Sequence, residues 1–452
     1  MTEFITSYDP NADMVIQKYL ETIVSIVLSE CKELPVEAIL LDGSLCAGEG
    51  VVWFIDKQTW VMSDVDILAI SRGNSQENSA TQEHLNLVLA QLLPEIAVDV
   101  WIGTHEELKA SIKPTIAKIN FTRNFRVVWG EADWLKAVGV LDPADIPHDD
   151  PVRLLLNRIM EHLLVLLLYL GERARIWDVL YCSTKAVLDM ALVQLVLAGQ
   201  YEYDMRSRVE TFLGLIEKEA ASGVEETWQN ARLDVEEAMS IRSDLGVDLD
   251  AFSEERPGCV ANMSAWWLRA SEALGANLEL LRKTVSEKNI CCDPDILQLT
   301  NHEFKVGRPK TIKDFKERMT AWRSISSSLN KFKIPAPNKL QCAALALKGT
   351  PMGVAYHQGL WTLKQIPRVF SSVRCDLLPQ LPRFGTIGSS ATGEDLAGKG
   401  PPGLCLWRTF PRLKSWYQGT TSLREWLELA NQAVLTWDLA LLGGRRYAIF
   451  YS

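Results

Sequence analysis

Several common catalytic and targeting signals are absent from this sequence of 452 residues. It has no P-loop of the form G-x-x-x-x-G-K-[ST] and no G-x-S-x-G turn, so neither a P-loop NTPase nor an α/β-hydrolase is supported. The N-terminal segment MTEFITSYDP has no basic stretch followed by an apolar one, so we expect no secretory signal. The longest apolar run, LLVLLLYL at 163–170, is much shorter than the roughly 18 residues that a membrane span needs. We therefore expect a cytoplasmic protein without membrane contact.

Cysteine and histidine lack the spacing of metal or disulfide frameworks. The nine cysteines are odd in number and never form C-x-x-C, and the six histidines include no H-E-x-x-H. This pattern indicates a reducing compartment and argues against a zinc ribbon or a disulfide scaffold.

Charge is distributed unevenly along the chain, whose net charge is −10. Residues 301–452 contain 22 Lys and Arg against 9 Asp and Glu, whereas residues 1–300 contain 25 against 48. A basic region of this kind contacts nucleic acid, anionic ligands or an acidic partner, or it packs on the acidic part of its own chain. Nucleic acid stays open as a partner but is not favoured, because the acidic first part would repel phosphate.

Two aspartates separated by one residue stand out in the string MSDVDILAI. Asp64 and Asp66 occupy alternate positions of a predicted strand at 64–70, so their side chains are expected on one face, about 7 Å apart. Asp99 lies in a second apolar run, AVDVWI, which predicts another strand at 97–102.

Carboxylates gathered in this way predict a bound cation. Two of them repel each other by about 4 kcal/mol at 4 Å and an effective dielectric constant of 20. Oxygen ligands are preferred by hard divalent cations. The three aspartates therefore predict a site for Mg²⁺ or Mn²⁺.

A glycine-serine turn precedes the aspartates. The apolar run at 36–42 predicts a strand that ends abruptly at Gly43 and Ser44, with further glycines at 48 and 50. The amides of such a loop, together with the serine hydroxyl, can donate hydrogen bonds to phosphate oxygens. A phosphate loop, a strand with two carboxylates and a strand with a third follow in the order that two-metal phosphoryl or nucleotidyl transfer requires.

At these positions the chain resembles the polymerase-beta-like nucleotidyltransferase superfamily. The resemblance is carried by Gly43-Ser44, by Asp64-Val65-Asp66 and by Asp99, in the first third of the chain. It implies an α+β fold, with a nucleotidyltransferase-type mixed sheet and helices at the N-terminus and a mainly helical C-terminal region. The family usually has a shorter gap between the turn and the paired acids. In this gap VVWFI and QTWVM predict a small inserted hairpin.

The resemblance also implies roles for these residues. The three aspartates would be both catalytic and metal-binding, with Mg²⁺ or Mn²⁺ as cofactor, and Gly43 with Ser44 would hold the phosphates of an NTP. In enzymes of this kind a lysine of the helical region commonly reaches the triphosphate, and Lys185 is the candidate here. A lysine that lies along a helix surface would give the same pattern.

Helical periodicity dominates outside the predicted strands. Apolar spacing predicts an amphipathic helix over 12–31 and another over about 80–93. A fourth strand is predicted near 124–129. Two long helices are predicted after residue 150, where an acidic first turn and Pro151 mark a helix start.

The chain is accordingly divided into three regions. Residues 1–150 would form the catalytic domain, residues 151–300 a helical substrate- or nucleotide-binding domain, and residues 301–452 a basic, mainly helical region. Within the last, residues 386–403 are rich in Gly, Ser and Pro and predict an exposed flexible loop. The following segment predicts an amphipathic helix with Trp426 and Trp437 on or near its buried side.

The expected activity is transfer of NMP from an NTP to an acceptor hydroxyl, with release of pyrophosphate. Three kinds of acceptor stay open: a small molecule, a protein side chain, or another nucleotide, as in the cyclic-oligonucleotide synthases of bacterial anti-phage signalling. The alternative is a non-catalytic, antitoxin-like protein that keeps a nucleotide pocket. The lengthened loop after Gly43-Ser44 favours this alternative, whereas the complete acid triad disfavours it.

Overall fold

The structure is a computed structural model, and it describes only part of the chain. The described residues are 10–55, 58–170, 174–220, 225–243, 259–287, 298–299, 304–305, 309, 311–331, 338–348, 350–371, 430 and 433–437. They form a mixed α+β fold, with a four-stranded mixed sheet near the N-terminus and a mainly helical remainder. This confirms the fold class expected from the sequence at that coarse level.

The elements are as follows in chain order. The strands are β1 (Val36–Asp42), β2 (Val52–Ile55), β3 (Gln58–Val61), β4 (Val65–Ser71), β5 (Val98–Gly103), β6 (Arg126–Gly130), β7 (Gln298–Leu299) and β8 (Phe304–Lys305). The helices are α1 (Pro10–Glu30), α2 (Gly43–Cys46), α3 (Ser75–Leu92), α4 (His105–Ser111), α5 (Ile116–Asn124), α6 (Asp149–Leu170), α7 (Ile176–Ala198), α8 (Met205–Ala220), α9 (Glu225–Ser243), α10 (Cys259–Glu287), α11 (Ile312–Lys331), α12 (Lys339–Lys348) and α13 (Pro351–Ser371).

The chain divides into two compact units, each built from separate stretches of sequence. Among the described residues, the first contains 10–151, 194–218 and 239–243, and the second contains the others. The first unit therefore includes most of α8 and the end of α9 as well as the whole N-terminal sheet. The three sequence regions proposed above stay a prediction.

The sheet of the first unit has the order β5-β4-β1-β6. Strand β1 lies antiparallel to β4 and β6, whereas β4 and β5 are parallel. All four strands lie within two residues of the predicted positions, because each is a short apolar run that ends at a polar or glycine residue. Two side chains of α3, Gln82 and Asn86, form hydrogen bonds with backbone N–H and C=O groups of β5, which lies at the edge of the sheet.

Alternate residues of the strands fill two separate cores. On one face Ile39, Ile67 and Val100 pack against α1 and α3, and on the other Leu40 and Leu68 pack against α4 and α5. This alternation fixes the register, since a shift of one residue would turn every apolar side chain to the other face.

The segment between the glycine-serine turn and the paired acids forms the predicted hairpin. Strands β2 and β3 pair antiparallel, from Val52 with Val61 to Ile55 with Gln58. Residues 56–57 at its tip lie outside the described part of the chain. Trp53 in β2 is 1% exposed, so the hairpin is anchored in the fold.

Buried polar contacts hold the helices of the second unit together. His162 in α6 is fully buried; its ring stacks on Trp267 at 4.8 Å and its Nε2 lies 2.8 Å from the Ser271 hydroxyl. Burial lowers the pKa of His162 to about 3, so the ring is neutral in the folded protein. Its surroundings are those of a core histidine.

A second buried contact joins α6 to later helices of this unit. The Asn157 side-chain oxygen accepts hydrogen bonds from the Tyr356 hydroxyl at 2.6 Å and from Trp437 Nε1 at 3.0 Å. The buried position predicted for Trp437 is confirmed. Trp426 and the predicted loop at 386–403 lie outside the described residues.

The run at 163–170 lies in α6 as a largely buried stretch, as predicted for a core helix. Among the residues that the structure describes, one helix, α7, is long and apolar enough to cross a membrane by length and composition. Most of that helix is buried.

Candidate functional site

Three aspartates from three neighbouring strands, Asp42, Asp66 and Asp99, stand side by side in the sheet of the first unit and form what we call the acid row. Asp66 of β4 pairs with Asp99 of β5 on one side and with Asp42 of β1 on the other. Directly paired residues point to the same face, and their Cα atoms lie about 5 Å apart. This face is the one on which Leu40 and Leu68 pack against α5.

The predicted pair Asp64 and Asp66 lie at the beginning of β4. Asp66 is the second residue of β4, and Asp64 directly precedes that strand. Both are half-buried, and Asp99 is exposed. The row therefore lies at one end of the sheet, at the rim where solvent and ligands can reach it.

Gly43 directly follows β1 and lies against the carboxylate of Asp66. Its φ of +73° is in the left-handed region that favours glycine. A Cβ at this position would overlap Asp66 Oδ2 and lie 3.2 Å from Asp66 Cγ. The turn thus needs glycine for two reasons, and it brings the backbone into contact with the acid row.

Asp42 was not among the residues selected from the sequence. Its Oδ1 accepts a hydrogen bond from Gly43 N at 2.7 Å, and its Oδ2 lies 3.7 Å from the Lys118 ammonium of α5. Burial raises the pKa of Asp42, although Lys118 and the Gly43 amide partly oppose this effect. Asp42 could have been found as a polar residue that ends an apolar strand, but Lys118 carries no local sequence signal.

Ser44 lies in the first turn of the short helix α2. Its hydroxyl oxygen is buried and has no hydrogen-bond partner within the described part of the chain. An unsatisfied buried hydroxyl costs free energy, so a ligand that bonds to it would be favoured. Nearby, burial raises the pKa of Cys46, and Asp42 and Asp66 add to this rise, so this thiol is not a reactive thiolate.

The fit of a divalent cation can be judged from these positions. The donors are carboxylate oxygens, which suit Mg²⁺ or Mn²⁺, and the backbone register aligns them on one face. As the side chains stand, however, no group of three or more His, Cys, Asp or Glu within the described ranges could hold a metal ion. Asp66 faces Gly43 and Asp42 faces Lys118, so binding would require rotation of these carboxylates.

Lys185 lies in the middle of α7, in a stretch that belongs to the second unit. It is half-buried. Its role as a ligand of the triphosphate stays a prediction.

Comparison of the chain with family models, with curated proteins and with solved structures gave no match.

Proposed function

We propose that this chain is a metal-dependent nucleotidyltransferase, which transfers NMP from an NTP to an acceptor hydroxyl and releases pyrophosphate. The observation that carries the proposal is the register that aligns Asp42, Asp66 and Asp99 across three strands on one face. Three adjacent carboxylates repel one another; Lys118 partly offsets the charge of Asp42, and a divalent cation bound at the row would offset the repulsion further.

The glycine-serine turn adds support. It follows β1 at the same end of the sheet as the acid row, and Gly43 touches Asp66. The unpartnered Ser44 hydroxyl would donate to a β or γ phosphate oxygen of the NTP. The group that binds phosphate and the carboxylates that bind metal would then lie close enough to contact the same nucleotide.

In this mechanism Asp64 and Asp66 would hold one Mg²⁺, and Asp66 and Asp99 a second. When bound, the cations would neutralise the triphosphate charge and lower the pKa of the acceptor hydroxyl. Asp99 is exposed, so it can accept the proton of that hydroxyl. The acceptor oxygen forms a bond to the α-phosphorus as the bond to pyrophosphate breaks, while Ser44 holds the leaving group.

The test is incubation of the full chain with each labelled NTP and Mg²⁺ or Mn²⁺, followed by pyrophosphate measurement and mass analysis of products. We expect pyrophosphate release that depends on one or more NTPs, and a product mass that identifies the acceptor as small molecule, protein or nucleotide. Asp66→Asn should abolish the release, since it removes a charged ligand and keeps the side-chain volume.

A matched control is Asp145→Asn, which changes an exposed aspartate of the same unit outside the acid row. It should keep wild-type turnover. Unchanged turnover in Asp66→Asn, with both variants folded by circular dichroism, would reject the assignment.

One observation favours a second candidate, a protein that binds a nucleotide without transferring it. The carboxylates of the row do not converge as they stand, and the described residues contain no group of three ready to hold a metal. For such a protein, calorimetry would detect NTP binding in the absence of any product.

A further inference from the structure

A buried ion pair holds the loop that follows the Gly43-Ser44 turn. The Glu49 carboxylate accepts a hydrogen bond from Arg208 Nη2, and the two side chains are only 13% and 9% exposed. Arg208 comes from α8, far along the chain, but α8 up to residue 218 belongs to the same compact unit. A late helix therefore contacts the first loop of the sheet.

The same loop residue is bonded at its backbone as well. Arg242, at the end of α9 and 6% exposed, donates from Nη2 to the Glu49 carbonyl oxygen at 3.0 Å. Arg208 Nη2 also donates to the Tyr203 carbonyl oxygen at 2.9 Å, which ties it to the segment before α8. Two buried guanidinium groups thus converge on one residue.

Glu49 in turn is bonded to the turn itself. Its amide donates to the Ser44 carbonyl oxygen at 2.8 Å. The carboxylate, the carbonyl and the amide of Glu49 therefore all form hydrogen bonds, and the hydrogen bond from its amide ties the backbone of Ser44 to Glu49. Gly48, directly before it, has a φ of +74°, a backbone conformation that glycine adopts without strain.

The burial of the charged groups of Glu49, Arg208 and Arg242 indicates what these contacts do. A buried ion pair seldom stabilises a fold more than apolar residues of the same volume would, because desolvation opposes the attraction. Directional hydrogen bonds, by contrast, fix a backbone where packing of apolar groups would leave it adjustable. The arrangement suits a loop whose geometry must be fixed.

We infer that Glu49 is a positioning residue of the proposed nucleotide site, held by Arg208 and Arg242 so that the Gly43-Ser44 turn presents the Ser44 hydroxyl to phosphate. This inference rests on the proposed function. It adds a clamp, defined as Glu49, Arg208 and Arg242, that lies behind the turn and makes no contact with the nucleotide itself.

The test uses the full chain with Glu49→Gln and the double variant Glu49→Gln/Arg208→Gln. The double variant leaves no unpaired buried charge from this pair, so it keeps the test valid if the single variant folds poorly. We expect the KM for the metal-NTP complex to rise about 10- to 100-fold, the range seen when supports of ligand residues are removed, with little change in kcat. Hydrogen exchange at the amides of residues 44–50 should become faster without nucleotide.

The matched control is Glu37→Gln/Arg72→Gln. It removes an ion pair of the same unit at the other end of β1, where the arginine is 75% exposed. It should change neither KM nor the exchange of residues 44–50.

The outcomes separate the two proposals. If the wild-type chain turns over an NTP and the double variant matches it in KM and exchange, the clamp is wrong and the transferase stands. If KM rises while exchange is unchanged, Glu49 contacts the nucleotide directly, which also overturns the positioning role. If the wild-type chain neither binds nor turns over any NTP, the proposed function fails and the clamp's role fails with it.

Discussion

Replacement of Gly43 by alanine tests the contact between the turn and the acid row. The added Cβ meets two obstacles, a φ of +73° and the carboxylate of Asp66. The left-handed backbone costs an alanine about 1–2 kcal/mol. Overlap with Asp66 adds about 1–3 kcal/mol, as extra atoms in a packed site usually do, because either the carboxylate or the turn must move. We expect Gly43→Ala to lower the free energy of unfolding by about 2–5 kcal/mol.

Gly139 provides a control, because it has the same left-handed backbone conformation as Gly43 but no neighbour that an added Cβ would meet. Gly139 has a φ of +76°, and a Cβ there would meet nothing within 4 Å. Gly139→Ala should therefore lower the free energy of unfolding by only about 1–2 kcal/mol. The difference between the two variants isolates the overlap with Asp66.

Urea unfolding of both variants provides the measurement, and the double variant Gly43→Ala/Asp66→Ala completes a cycle. Removal of the Asp66 carboxylate should return the cost of Gly43→Ala to that of Gly139→Ala. Equal losses in the two single variants would show that the turn does not touch the acid row. The site geometry described above would then be wrong.

Three further predictions concern protons, a buried amide and metal. In the unfolded chain His162 takes up a proton below about pH 6.5, whereas in the folded protein it does so only near pH 3. The contribution of His162 to the free energy of unfolding is therefore fully present above about pH 6.5 and falls by about 1.4 kcal/mol for each pH unit below it. Urea unfolding at pH 7, 6 and 5 should show this slope, and His162→Gln should reduce it. Asn157→Leu leaves Tyr356 and Trp437 without their acceptor, so the free energy of unfolding should fall by about 2–6 kcal/mol, and a loss under about 1 kcal/mol would contradict the network. Mn²⁺ at a hundred times its Kd should stabilise the wild-type chain by about 2.7 kcal/mol, EDTA should reverse the effect, and an equal gain in Asp66→Asn would place the ion elsewhere.

Local patterns were sufficient to predict most of the N-terminal sheet. Short apolar runs predicted the four strands. Asp66 lies in β4, whereas Asp64 directly precedes that strand, so its place on the same face stays a prediction. Helix α3 begins at Ser75, earlier than the predicted 80, because Asn74 caps it by accepting bonds from the amides of Gln76 and Glu77. That signal was present in the sequence and was missed.

The rest of the site depends on pairing between distant segments. Asp42 joins the acid row because β1 pairs with β4 in one particular register, which no property of either strand alone reveals. Lys118 reaches Asp42 from a helix 76 residues away, and Arg208 reaches Glu49 from 159 residues away. A single sequence has no signal for such contacts, because they arise from packing of the whole unit.

The described part of the first compact unit extends to residue 243, and two stretches within this range, 152–193 and 219–238, belong to the second unit. During synthesis the sheet can leave the ribosome long before α8 and the end of α9 exist, so its completion must wait for about a hundred more residues. A fragment cut at residue 150 would lack both arginines that hold Glu49. Activity assays on such a fragment would therefore report on an unfinished unit.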